Sequence, residues 1–180
     1  MNNSELVEIV DELGISTGLV IDKEEAHDKN LLHKEVSLFI INSKKEILLE
    51  KRSPNKRFAP NKWGLCAGHV QAYEDIDAAM IRELKEELGV SANKKDLHYF
   101  LTLLKKRTEN SNISYDYYMH LDKNINDFIV QEEELSEVKW FSFNDIKNMI
   151  INNDPLITFS NNPDNLKALD ELDKIIDFKS

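Results

Sequence analysis

Cysteine is almost missing from this chain: Cys66 is the single one in 180 residues. An internal disulfide is thereby excluded, and a reducing compartment such as the cytoplasm is the expected setting. Long apolar runs are missing as well. None approaches the roughly 20 residues that cross a bilayer, so no membrane partner is expected. The first thirty residues carry Glu5, Glu8, Asp11 and Glu12 where a secretory signal needs basic and apolar residues. Basic charge is in deficit, with 23 Lys and Arg against 33 Asp and Glu and a net charge of −10. That balance argues against a nucleic-acid polymer as partner, because such binding draws on basic surface. An anionic small molecule would need local help, from a metal ion and a few basic side chains. Repeats, linkers and low-complexity tracts are absent, which leaves one α/β domain over residues 1–180 as the simplest organisation.

What is present reads as interleaved strands and helices. Segments 5–11 and 18–22 form a predicted hairpin around Gly14, within an N-terminal extension over residues 1–30 that could supply a homodimer contact. KEEAHDK follows as a single helical turn. Glu35–Ile41 is a near-continuous apolar strand of the kind buried on both faces, returning after a turn at 42–45 as Glu46–Glu50. Residues 51–62 are basic and turn-rich, with Pro54 and Pro60 blocking regular structure. Further strands are predicted at 97–104, 114–121 and 137–141. Ser142 and Asp145 resemble the cap of a helix running to about Ile151. Leu166, Leu169, Leu172, Ile175 and Ile176 mark a last amphipathic helix over 163–178, with Pro163 near its start.

The chemistry concentrates between Gly68 and Val90. Glu83, Glu86 and Glu87 stand at i, i+3 and i+4 of one predicted helix, within an arc of about 100°. Met80, Ile81, Leu84 and Leu88 form that helix's buried stripe, and Gly89 is suited to end it. Three carboxylates so close repel one another. A divalent cation such as Mg²⁺ resolves the conflict, because it takes hard oxygen ligands and keeps positions open for phosphate and water.

Gly68, Glu74 and the run Arg82-Glu83-Leu84-Lys85-Glu86-Glu87-Leu88-Gly89-Val90 resemble the Nudix box at every defined position. The resemblance implies a Nudix-type α/β/α sandwich with a mixed sheet. It also implies a hydrolase that cleaves the diphosphate linkage of a nucleoside diphosphate derivative with Mg²⁺ or Mn²⁺. By the same resemblance Glu83, Glu86 and Glu87 hold metal, the backbone carbonyl of Ala67 joins them, and Arg82 orients a box glutamate. Gly68 and Glu74 are architectural. A later-loop glutamate serves as metal ligand or general base in many members, which points to Glu133 or Glu134; box glutamates fill that role in others. For the substrate, Lys51, Arg52, Lys56, Arg57 and Lys62 could offset phosphate charge. One of Tyr115, Tyr117 and Tyr118 could stack a base, with Arg52, Lys62 and Tyr117 the leading set.

A second resemblance runs through EEAHDKNLLHKEVSLFIIN, ILLEKRS, FAPNKW and the Gly-His pair. These are similar to isopentenyl-diphosphate isomerase, a relative on the same fold that holds metal through histidines and glutamates and works with a cysteine and a glutamate. His27, His33 and His69 fall near its metal histidines, and imidazole suits Mn and Zn. With Gly-His aligned, however, the isomerase cysteine corresponds to Ala67. Cys66 would point to the opposite face of a strand. The box is complete here and degenerate in the isomerase. The reading is a hydrolase of the isomerase-like branch with the three histidines structural or secondary. An isomerase-like enzyme and a non-catalytic nucleotide-binding module are the alternatives.

Overall fold

The computed structural model describes residues 5–159 and 163–178. Nine strands and four helices follow in the order β1 (Leu6–Val10), β2 (Ser16–Asp22), α1 (Lys23–Asp28), β3 (His33–Ile41), β4 (Glu46–Arg52), β5 (Trp63–Gly64), β6 (Cys66–His69), α2 (Ile76–Leu88), β7 (His98–Lys105), β8 (Asn112–His120), β9 (Leu135–Ser142), α3 (Phe143–Ile151) and α4 (Pro163–Phe178). The expected α/β/α sandwich with a mixed sheet is what forms. β3 is its centre, paired in parallel with β8 from His33↔Asn112 to Ile41↔His120. Its other edge pairs antiparallel with β6. β4 touches β3 only at Ile41↔Ile47 and then diverges to pair with β9 and β5. A cleft opens where these two parts of the sheet separate.

Strand alternation divides the core in two. Val36, Leu38 and Ile40 of β3 pack with Met80, Leu84 and Leu88 of α2. Phe39 and Ile41 pack on the other face with Ile146 and Ile150 of α3 and Leu169 and Leu172 of α4. α2 starts at Asp75, whose carboxylate accepts from Asp77 N and Ala78 N, and ends at Gly89 with φ 66°. That left-handed value is cheap for glycine. α3 is capped by Ser142, whose Oγ accepts from Asp145 N at 3.1 Å.

Several strands are longer than the sequence predicts. β3 begins at His33 and β8 at Asn112, because each completes the other's parallel ladder. β5 and β6 had no periodic signal; two- and four-residue strands are too short to show one. The N-terminal hairpin docks on its own sheet through Ile9↔His33 and through Val7, Ile9 and Ala26. Leu13 and Ile15 at its tip stay exposed. Among the described residues no helix is long and apolar enough to cross a membrane.

Candidate active site

The cleft encloses about 1170 Å³ and is lined on one side by α2 and β6 and on the other by β4 and the 53–59 and 131–134 segments. α2 delivers Glu83 and Glu87, both buried, and Glu86, which is exposed. Arg82 organises this face. Its Nε and Nη2 donate to the two oxygens of Glu74 at 2.9 Å each, and Nη2 also donates to the His69 carbonyl at 2.9 Å. Nη1 donates to Glu83 Oε1 at 2.6 Å and to Glu86 Oε2 at 3.2 Å. One guanidinium therefore fixes the helix start, the β6 end and two box carboxylates, a geometry that Arg's rigid fork provides and Lys cannot. Glu83 lies against Gly68, where a Cβ would fall on its carboxyl group. The Ala67 N–H donates to Glu87 Oε2 at 3.3 Å.

Glu50 of β4 is the member of this site that sequence reasoning missed. It is 2% exposed, its Oε1 is buried without a partner, and it converges with Glu87 and Cys66 so that one donor atom of each lies within 4.8 Å of the others. Burial raises Glu50 and Glu87 well above the ordinary carboxylate range, and their mutual repulsion adds to it for Glu87. Burial likewise pushes Glu83 up to about 7, against the pull of Arg82. An orphaned buried oxygen beside crowded carboxylates is the donor set a hard divalent cation satisfies.

A second cluster lies on the Ala67 face of β6, where His27 and His69 also line the cleft. The rings of His27, His33 and His69 stand 5.0–5.2 Å apart, centroid to centroid, with one ligating atom of each within 4.8 Å of the others. His27 Nε2 and His69 Nε2 are 3.1 Å apart. His33 Nδ1 donates to the Leu31 carbonyl at 2.9 Å, which leaves Nε2 as the lone-pair nitrogen, buried and without a partner. Asn112, beside His33 in the β8 register, adds a buried unpartnered Oδ1. Burial lowers His27 and His69, with the neighbouring rings contributing. Converging imidazoles with free lone pairs fit Mn or Zn. The sequence reading takes these residues as structural or secondary; their convergence is one that could hold a metal ion.

Other candidate residues scatter. Arg52 lines the cleft, its Nε donating to the Phe58 carbonyl at 3.0 Å. Glu134 also lines it, with its carboxylate held by Lys56 in an ion pair, and Glu133 sits beside it. Lys62 lies outside the cleft lining, because the 53–62 loop turns Lys56 and Arg57 inward instead. Tyr117 is also elsewhere. It lies opposite Leu38 on the α2 face, 4% exposed, and its hydroxyl donates to Asp77 Oδ1 at 2.5 Å. It packs and braces the helix start, away from the cleft.

Residue parity on β6 separates the two chemistries. Ala67 and His69 pair with Ser37 and Glu35 on the cleft face, whereas Cys66 and Gly68 pair with Leu38 and Val36 on the α2 face. Cys66 is 1% exposed, and burial beside Glu50 and Glu87 pushes its thiol up.

Residues 31–158 match the family described as NUDIX domain. An isopentenyl-diphosphate Delta-isomerase of Aliivibrio fischeri (strain MJ11) is 32% identical over 152 residues, covering 80% of this chain and 83% of that protein. Nudix hydrolase 3 of Arabidopsis thaliana is 27% identical over 158 residues, 82% of this chain and 20% of that longer protein. The crystal structure of DR0079 from Deinococcus radiodurans shares the fold at a TM-score of 0.67 and 21% identity, covering 82% of this chain and 90% of its own. The chain belongs to the NUDIX family, in the branch that resembles isopentenyl-diphosphate Delta-isomerase.

Proposed function

We propose that this protein hydrolyses the diphosphate linkage of a nucleoside diphosphate derivative, with Glu50, Glu83 and Glu87 holding Mg²⁺ or Mn²⁺ and Glu86 at their exposed edge. The observation that carries the reading is the convergence of Glu83, held at Gly68 by Arg82, with Glu87 at the Ala67 N–H and Glu50 beside it, where the isomerase resemblance calls for a thiol at position 67. A bound divalent cation neutralises diphosphate charge and makes water more acidic. Arg52 and Lys56 meet the phosphate oxygens from the opposite wall. A diphosphate entering the cleft competes with Glu134 for Lys56, and the released carboxylate accepts the proton of the attacking water. Arg82 keeps Glu83 and Glu86 oriented throughout and touches no substrate.

Alkene isomerisation needs a proton donor and an acceptor on opposite faces of the substrate. The methyl of Ala67 supplies neither, and Cys66, buried against Glu50 and Glu87, does not line the cleft. The test is a screen of nucleoside diphosphates, nucleoside triphosphates and nucleotide sugars with Mg²⁺ or Mn²⁺, run beside isopentenyl diphosphate. Hydrolysis of at least one nucleotide derivative and no dimethylallyl product are expected. Dimethylallyl diphosphate, or an inert panel, would overturn the reading.

The three histidines constitute a separate metal position in this proposal, one that stabilises the β6 end and the hairpin. Zn²⁺ or Mn²⁺ should bind about one ion per chain there and raise the melting midpoint by several degrees; His33→Ala should abolish both. Because His27 and His69 are held below their ordinary value, this cluster's own contribution to the stability of the metal-free fold is lost as pH falls through the usual histidine range near 6.5. Unchanged metal content in the variant, measured by mass spectrometry, would rule out this assignment.

A further inference from the structure

Beyond the carboxylates, the cleft floor changes character. Two cross-strand rows lie side by side on one face of the sheet: Ala67, Ser37 and Asp116 in one, His69, Glu35 and Ser114 in the next. Ser37, Ser114 and Asp116 are 4%, 0% and 2% exposed. Ser114 Oγ donates to Asp116 Oδ1 at 2.5 Å and lies 3.2 Å from Ser37 Oγ. Lys105 Nζ reaches the same Asp116 oxygen only at 4.0 Å, the far limit of an ion pair. Ser37 and Asp116 line the cleft beside Phe39. Further along the same face the sheet is apolar, with Phe39 and Tyr118 packed under α3 and α4.

A carboxylate at such depth is costly unless its lone pairs are used. Ser114 is the hydrogen-bond donor it has among the described residues. Burial raises its pKa, which Lys105 and Ser114 only partly oppose. A brace for Lys105 would not require a carboxylate sunk to the floor of an open cleft, because a partner at the rim would hold that side chain as well. Asp116 stands two strands from Ala67, about 10 Å at the usual strand spacing. A ribose and base fill that span. The proton acceptors on this floor therefore face the group that hangs from the diphosphate.

We propose that Ser37, Ser114 and Asp116 form the specificity floor of the cleft and select a nucleoside whose base presents N–H donors, rejecting an apolar prenyl chain. The proposal rests on the hydrolase reading for the diphosphate at its other end, and it deepens that reading by naming what the enzyme accepts. A site built to pair with donors discriminates strongly against a group without them, because its buried acceptor is then left unsatisfied.

The test reads equilibrium binding, so it does not depend on turnover. Isothermal titration of the full chain with Ca²⁺ would use α,β-methylene nucleoside diphosphates, methylenediphosphonate and geranyl diphosphate as probes. For the parent, at least one nucleoside analogue should bind about 100-fold tighter than either of the others. Asp116→Asn should reduce that preference about tenfold or more and leave methylenediphosphonate within about twofold. Ser114→Ala, which frees the carboxylate from its orienting donor and is a smaller change, should reduce it about threefold. Geranyl diphosphate binding as tightly as the nucleosides would overturn the proposal. So would an unchanged preference in both variants. Failure of the hydrolysis screen with this binding pattern intact would remove the catalytic reading alone.

Discussion

Glutamine at position 87 is expected to lower kcat/KM for diphosphate hydrolysis on the order of 10³-fold while the fold survives. Glu87 is 7% exposed and converges with Glu50 and Cys66. The substitution keeps its volume, and the amide oxygen can still accept from Ala67 N. It removes one negative oxygen ligand and one like-charge neighbour together. The sign of the stability effect follows from the raised carboxylates. Glu83 stands at about 7 against an ordinary 4.5. A group raised in this way contributes stability that is full below its unfolded value and is lost as pH rises through its folded one. The carboxylates should therefore cost the metal-free parent stability at about pH 8 that they do not cost at about pH 6, opposite in sign to the histidine cluster, and millimolar Mg²⁺ should remove much of that cost. Without metal at the higher pH, Glu87→Gln should melt above the parent, by on the order of 5 °C. Calorimetry at both pH values, paired with initial rates, tests both halves. A variant as active as the parent would mean that Glu87 is not a ligand.

Alanine at Gly68 is expected to be nearly as damaging, by a different route. The added Cβ would fall on the Glu83 carboxyl group. That carboxylate is 8% exposed and tied to Arg82 at 2.6 Å, so it cannot swing aside without breaking the guanidinium network. The loss should be about 10²-fold in turnover, with weaker Mg²⁺ binding. Overpacking of this kind also costs about 1–3 kcal/mol of stability. Initial rates across a Mg²⁺ titration separate the two contributions, because a defect confined to metal affinity is rescued at saturating ion. Normal Mg²⁺ dependence in this variant would show that Glu83 does not belong to the ion's surroundings.

The box helix could be read from the chain because its information is local. Spacing along one helix sets which carboxylates share a face, and Gly68, Asp75 and Gly89 mark its limits. Glu50 could not be found that way. It closes the predicted strand Glu46–Glu50, just ahead of the basic, turn-rich stretch; only the divergence of β4 from β3 brings it to Glu87. The one available hint was a lone carboxylate inside a strand that is otherwise buried. The histidines have a related history. His27, His33 and His69 sit on α1, β3 and β6, and their convergence depends on the hairpin closing against Gln71 and His33. Tyr117 shows the reverse error. Tyr115, Tyr117 and Tyr118 break strict alternation, so no pattern along β8 says which ring faces the cleft; the parallel register with β3 decides it. Asp116 was passed over for the same reason, as a polar residue among tyrosines.

The alternation of β3 has an evolutionary consequence. His33, Glu35 and Ser37 turn one way along it, while Val36, Leu38 and Ile40 turn the other and carry the packing under α2. A slip of one residue would exchange these two sets and bury histidine and serine beneath the helix. Insertions or deletions in this strand are thus forbidden to any descendant that keeps the fold. New preferences can be drafted there only by point replacement at every second position.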